Sequence, residues 1–245
     1  MSAEGGENMK ILLVAGHGEG DAGACGCGYY EADLTREVAE QLKRRLEAYI
    51  TVDVFDVKKN LYKYLSSGKQ FNFASYDYVL EIHFNAAVSD EKGDGKTTGT
   101  EILVHNTTDS RRVEEKIISN LAAVGFTNRG IKGRNNLFVM NVCKKQKVAY
   151  GLLEVCFIDD RDDMNLYQTR KEDIIRGIAG GLLEGLGIGC NKQLETANDI
   201  TWELNHTYFQ ITETERFVTA LEEAKQCGSP LYWGYYKLVN KVKGR

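Results

Sequence analysis

Four residues far apart in the chain, two histidines and two glutamates, are of types that can bind metal or move protons. His83 directly follows the short run Tyr76 to Ile82, and His17 follows Lys10 to Ala15 after a single glycine. Such runs read as buried strands, which puts each imidazole at a strand's C-terminal end. Glu31 opens a stretch in which Leu34, Val38, Leu42 and Leu46 recur every four residues. It lies one heptad before Val38, on the stripe a helix turns inward. Glu154 interrupts the apolar run Val148 to Val155, and a bare buried carboxylate is costly unless something compensates it. Two neutral imidazoles, one carboxylate oxygen and a free fourth position are the donor set of a catalytic zinc, bound at about 2.0–2.2 Å. Zinc lowers the pKa of its water toward about 7. A further carboxylate then takes the proton as general base and delivers it to a leaving amine. Glu154 suits that role.

Taken singly, each residue has a plainer reading. A histidine after a strand is most often a hydrogen-bonded loop residue. A glutamate in a helix's first turn is favoured by the helix dipole alone. Glu154 could pair with an arginine. The expectation rests on four residues converging in the crevice at the carboxyl ends of the strands, where open α/β sheets bind ligands. His105 and His206 are read as ordinary structural or surface residues.

The elements that must position these side chains follow from periodicity. The first strand spans Lys10 to Ala15, and the first helix runs from about Glu31 to Tyr49. Thr51 to Val57 alternates and is β-branched, hence a strand. Residues 58–75 read as a short helix plus loop. Tyr76 to Ile82 is a third strand, residues 88–99 a polar loop, and Thr100 to His105 a fourth strand. Arg111 to Val124 is an amphipathic helix, with Val113, Ile117, Leu121 and Val124 on one face. Thr127 to Lys132 is a turn or short extended piece, Leu137 to Val142 a short strand, and Val148 to Val155 a strand. A helix from about Lys171 to Leu186 closes the unit. Strand alternating with helix implies an α/β fold, a mostly parallel twisted sheet with helices on both faces.

Composition shifts after Gly189. Residues 191–245 hold both tryptophans and eight of the 24 aromatic residues. Thr212-x-x-Glu215 is a capping box, and Ser229-Pro230 is an N-cap followed by proline at the first helical position. The domains expected are a catalytic unit over 1–189 and a small helical region over 190–245. That region either exposes its aromatics, which suit stacking on sugars, or packs them internally or on a second copy, giving a homo-oligomer.

The 245 residues carry a net charge of −4, which argues against a nucleic-acid partner. No apolar run reaches the roughly 18 residues a membrane span needs, so no stable membrane insertion is expected. The N-terminus is acidic and lacks a signal peptide's charged and apolar regions, so the expected location is the cytoplasm. Six scattered cysteines fit that compartment, apart from the closely spaced Cys25-Gly-Cys27. Gly18-x-Gly20-x-x-Gly23 literally matches a dinucleotide fingerprint, and the alternative function is a nucleotide- or dinucleotide-binding regulator using loop 16–28. The fingerprint should open a helix directly, however, and here Cys25-Gly-Cys-Gly-Tyr-Tyr intervenes. Gly95-Lys96-Thr97 resembles the end of a phosphate loop, but Asp90 stands where glycine is required.

Six stretches, in order, resemble one known family. They are Ala15-Gly-His-Gly-x-Gly-Asp-x-Gly-Ala24, Glu31-Ala-Asp-Leu-Thr-Arg-Glu-Val38, Glu81-Ile-His-Phe-Asn-Ala86, Gly99-Thr-Glu-Ile-Leu-Val104, Asn128-Arg-Gly-Ile-Lys132 and Leu152-Leu-Glu-Val-Cys-Phe-Ile158. Over residues 9–188 the chain resembles the zinc-dependent N-acetylmuramoyl-L-alanine amidases of the type 3 class. The resemblance implies Zn2+ held by His17, Glu31 and His83, and Glu154 as the catalytic carboxylate. It implies peptidoglycan as the partner, cut at the amide joining N-acetylmuramic acid to L-alanine. Asn85 and Arg129 fall in matching motifs, as substrate-binding or structural residues. Together with the missing signal peptide, it implies a phage or prophage endolysin, cytoplasmic until released to the wall, with residues 190–245 as its cell-wall-binding region. Two features depart from the pattern: Cys25-Gly-Cys27, and Asp159-Asp160 where an asparagine is usual.

Overall fold

The computed structural model describes residues 9–106 and 110–188. Eight strands and six helices follow in chain order. They are β1 (Lys10–Ala15), β2 (Cys25–Gly26), β3 (Tyr29–Tyr30), α1 (Glu31–Leu46), β4 (Thr51–Val54), α2 (Leu61–Ser66), β5 (Tyr78–Asn85), β6 (Thr100–His105), α3 (Arg112–Val124), β7 (Asn128–Arg134), α4 (Phe138–Lys145), β8 (Ala149–Phe157), α5 (Arg161–Thr169) and α6 (Lys171–Gly185). Six strands form one sheet in the order β4-β1-β5-β8-β6-β7. The first four run parallel, and β6 lies antiparallel to β8 with β7 parallel to β6. The mostly parallel sheet flanked by helices is therefore present.

The near-continuous apolar runs have a two-sided explanation. Ile11 and Leu13 of β1, Leu80 and Ile82 of β5 and Leu153 of β8 face α1, α3 and α6. Leu12, Val14, Val79 and Leu152 face the opposite way, toward α2 and α4. The four-residue repeat of α1 places Leu34, Val38, Leu42 and Leu46 on the first core. Burying each such side chain fully contributes about 1.5–3 kcal/mol.

Several boundaries and two element types differ from the sequence expectation. Leu137 to Val142, read as a strand, is the start of α4. Val139, Met140 and Cys143 bury one helical face, and a six-residue apolar window cannot separate the two periods. Asn128–Arg134 is a full edge strand, β7, although no position in it is fully buried. His83 lies inside β5 rather than after it. Helix α5 and the β2–β3 ribbon were not anticipated. Asp160 caps α5 by accepting from the Asp163 N–H at 2.9 Å, which gives one of the two departing aspartates a structural use. Cys25, Cys27, Cys143 and Cys156 are free thiols, with only Cys25 exposed. The expected helices of residues 190–245, and the wall-binding or self-association read into them, lie outside the described residues.

Candidate metal and catalytic site

The carboxyl ends of parallel strands β1, β5 and β8 bring three of the four residues to one place, and the first turn of α1 brings the fourth. His17 follows β1 in a left-handed conformation, φ 63°, that non-glycine residues rarely adopt. Arg36 of α1 fixes this turn by donating to the Gly16 carbonyl (2.9 Å) and the His17 carbonyl (2.8 Å). His83 Nδ1 lies 2.9 Å from Glu31 Oε1, and His17 Nε2 lies 3.0 Å from Glu31 Oε2. The imidazole centroids are 4.9 Å apart. One donor atom from each of the three residues falls within 4.8 Å of the others. Glycine is required at both close approaches. A Cβ at Gly16 would sit 2.4 Å from His83 Cε1, and one at Gly23 2.6 Å from Glu31 Oε2.

The rear nitrogens of both rings meet carboxylates. His17 Nδ1 is 3.1 Å from Asp21, which also accepts from Asn60 Nδ2 (3.0 Å) and the Gly23 N–H (3.0 Å). His83 Nε2 is 3.0 Å from Glu81 Oε1, and Glu81 Oε2 accepts from the Tyr150 hydroxyl at 2.6 Å. This pattern leaves His17 Nε2 and His83 Nδ1 facing Glu31. Carboxylates behind metal-ligating histidines fix the tautomer and raise ligand basicity. Sequence reasoning missed both partners. Glu81 was detectable, because two residues before His83 in a strand is the same face.

Glu154 is the direct cross-strand neighbour of His83, and Glu101 of β6 is its neighbour on the other side. Its Oε2 is buried and has no hydrogen-bond partner. Burial pushes its carboxyl up to about 7; the His83 charge opposes this, and the charges of Glu31 and Glu101 reinforce it. Burial also works against an ionised Glu31, but hydrogen bonds from His17 and His83 outweigh it and hold its pKa far below the usual range. The bond to Glu31 raises His17 above its ordinary value. For His83 burial favours the neutral ring, yet hydrogen bonds to Glu31 and Glu81 carry it well above.

Arg129 and Asn85 do not join this cluster. Arg129 Nε donates to Glu101 Oε2 at 2.8 Å, and its guanidinium lies over the Phe157 ring. The Asn85 carbonyl accepts from the Ile158 N–H, and its side chain accepts from the Ala86 N–H. Loop 16–28 does not open a helix as a phosphate cradle would: it folds through β2–β3, and its Ala24 N–H is given to Glu31. Beside the cluster lies a cleft of about 220 Å³ between α2 and α4, with Glu81 and Tyr150 among its lining and Tyr62 and Phe138 at its walls. Those two aromatics are exposed and meet edge to face at 5.8 Å.

Known proteins share both sequence and fold with this chain. A "Probable autolysin PH" of Staphylococcus aureus is 28% identical over 196 residues, covering 74% of this chain and 39% of that protein. The "Sporulation-specific N-acetylmuramoyl-L-alanine amidase" of Bacillus subtilis is 29% identical over 192 residues, covering 74% and 69%. The chain thus spans well under half of the first relative. The solved "Catalytic domain of CD27L endolysin targeting Clostridia Difficile" superimposes with a TM-score of 0.57 at 26% identity, covering 75% of this chain and 99% of that one. The profile Amidase_3, described as N-acetylmuramoyl-L-alanine amidase, matches residues 11–184, and the chain belongs to that family.

Proposed function

We propose that the chain is a zinc-dependent amidase that cuts the bond between N-acetylmuramic acid and L-alanine in peptidoglycan and acts as a phage or prophage endolysin. The observation that carries this reading is the meeting of His17, Glu31 and His83 beside Glu154, whose Oε2 is buried without a partner. The donor set fits zinc: two imidazole nitrogens and a carboxylate oxygen, each imidazole backed by a carboxylate. Bound zinc would polarise the amide carbonyl and acidify a water.

The chain's own residues then have separable tasks. His17 Nε2, Glu31 and His83 Nδ1 would hold the ion. Asp21 and Glu81 keep the rear nitrogens protonated and the rings fixed. Glu154 accepts a proton from the attacking water at Oε2 and returns it to the amide nitrogen as the amine leaves. Arg129 and Lys132 pair with Glu101, which limits the charge that it turns toward Glu154 across the strand pair. Asn85 and Arg129 act at one remove, through Ile158 and Glu101.

Membership of the amidase family and the likeness to an endolysin catalytic domain support the substrate and the lytic role. Among the described residues no helix is long and apolar enough to cross a membrane. The test is product analysis of peptidoglycan digested by the zinc-loaded chain. New N-terminal alanine without new reducing sugar is expected. Reducing ends, or no cleavage by a chain holding one zinc, would overturn the assignment. The endolysin role predicts that expression in a host lyses cells only when a holin is co-expressed; lysis without one would refute it.

A further inference from the structure

A second group of carboxylates shares no residue with the first. The loop after β5 and the start of α5 bring Asp90, Asp160 and Asp162 together, with one carboxylate oxygen from each within 4.8 Å of the others. The backbone already joins these segments. The Asp90 N–H donates to the Asp159 carbonyl at 2.7 Å, and the Arg161 N–H donates to the Asp90 carbonyl at 2.9 Å. Asp162 Oδ2 accepts from the Gly95 N–H at 3.0 Å.

Asp160 sets this group apart from an ordinary acidic surface. It is only 2% exposed. Its Oδ1 caps α5, but its Oδ2 is buried with no hydrogen-bond partner. An orphaned buried carboxylate oxygen calls for a proton or a cation. Burial raises the Asp160 pKa; the Asp163 N–H opposes this, and the charges of Asp162 and Asp90 add to it. Among the described residues no lysine or arginine pairs with any of the three. Arg161, between two of them in sequence, turns its Nε to the Glu91 carbonyl instead. Asp90 accepts from the N–H groups of Lys92, Gly93 and Asp94, and of a carboxylate's roughly four lone pairs this leaves one, on Oδ2, for a ligand.

We propose that Asp90, Asp160 and Asp162 form a binding site for a hard divalent cation of the calcium class. An all-oxygen set without imidazole or thiolate selects such an ion over zinc. Half-buried Asp90 and exposed Asp162 give it a way in from solvent. Bound there, the ion cross-links the loop that follows the His83 strand to the start of α5, adding to two backbone bonds and the Gly95–Asp162 bond that already do so.

The test is calcium binding to the full zinc-loaded chain by equilibrium dialysis and thermal melting at fixed ionic strength. One saturable calcium per chain is expected, with a Tm rise of about 5 °C at saturation. Asp162→Asn keeps a carbonyl for the Gly95 N–H and leaves the Asp160 cap intact, so it folds; its calcium affinity should fall at least about tenfold. Asp160→Asn should abolish binding and raise the calcium-free Tm. Glu40→Gln, at an exposed position of α1, should bind as the parent does. No saturable binding up to about 10 mM calcium, or an Asp162→Asn chain that binds as tightly as the parent, would overturn the proposal. If Asp160→Asn does not fold, Asp162→Asn decides alone. Wall cleavage is not a readout, so this result and that of the amidase test stand apart.

Discussion

The two faces of the central sheet are built from the same strands yet do different work. On one face, Leu80, Ile82 and Phe84 of β5 lie against α1, α3 and α6 in the larger apolar core, where Tyr78 gives its hydroxyl to buried Glu114. On the other, shifted by one residue, Glu81 and His83 share β5 with Val79 under the short helices α2 and α4. Strand β8 repeats the division, with Leu153 and Val155 on the first face and Leu152 and Glu154 on the second. The pleat lets one strand carry anchorage and chemistry at once, because successive side chains point to opposite sides. Charges on the second face, and on Glu31 at the strand ends, persist because nearly every one has a partner: Glu31 has two imidazoles, Glu81 a tyrosine and an imidazole, and Glu101 two cations. Glu154 is the exception, and an unpaired group of that kind is where reactivity is expected.

The sharpest way to break this division is Glu154→Gln. An amide of the same shape cannot act as base, so hydrolysis should fall by about 10²–10⁴-fold. Zinc content should stay at one per chain and the Tm should not drop. An active Glu154→Gln would end the assignment of the base. The matching change on the other face is Leu42→Ala, which empties a fully buried site in α1. It should lower unfolding free energy by about 2–5 kcal/mol in a denaturant titration. Activity per folded molecule should stay within about twofold of the parent, since Leu42 touches none of the site residues. If Leu42→Ala instead loses zinc at temperatures where it remains folded, the faces are coupled and the division fails.

Glu81→Gln sharpens the comparison within the second face. It removes the charge behind His83 while leaving an acceptor for the ring or for Tyr150. Zinc affinity, measured by competition with a chelator, should weaken by about 10–100-fold. Tyr150→Phe should give a smaller loss in the same direction. Unchanged affinity in Glu81→Gln would reduce Glu81 to a buried structural acid.

The convergence of His17, Glu31, His83 and Glu154 was legible because each breaks a local pattern: histidines end or interrupt apolar strands, and carboxylates occupy inward positions. The partners were less legible. Asp21 sits in a glycine-rich loop where no period constrains direction, and only the left-handed turn at His17 brings its carboxylate back to the ring. Glu81 follows the strand period but resembles an ordinary polar-face residue until its neighbours are known. For Arg129 the sequence could not show that Glu101, two strands away from His83, would claim its guanidinium. The parallel order of the first four strands followed from strand–helix alternation. The reversal at β6 did not, because a polar loop carries no sign of strand direction. Helix α4 was misread because tertiary burial of Val139, Met140 and Cys143 overrode a β-branched composition.

The smallest expected effect concerns proton occupancy, and its sign can be worked out in two ways. With the Glu154 carboxyl near 7, the ionised fraction falls as pH drops. As pH falls from 8 to 6, kcat/KM should therefore decline. The raised values of His17 and His83 mean that protons also compete for the ligand nitrogens on the acid side. Zinc content measured across the same range separates the two causes. If metal leaves before activity falls, the acid limb belongs to the imidazoles. The second route uses the metal-free chain. There Glu154 holds its proton more tightly folded than unfolded, so its contribution to stability declines as pH rises from about 4 to 7. Glu154→Gln lacks that term. The Tm of the variant relative to the parent should therefore rise between pH 5 and pH 8, and a constant difference would mean that Glu154 titrates at an ordinary carboxylate value.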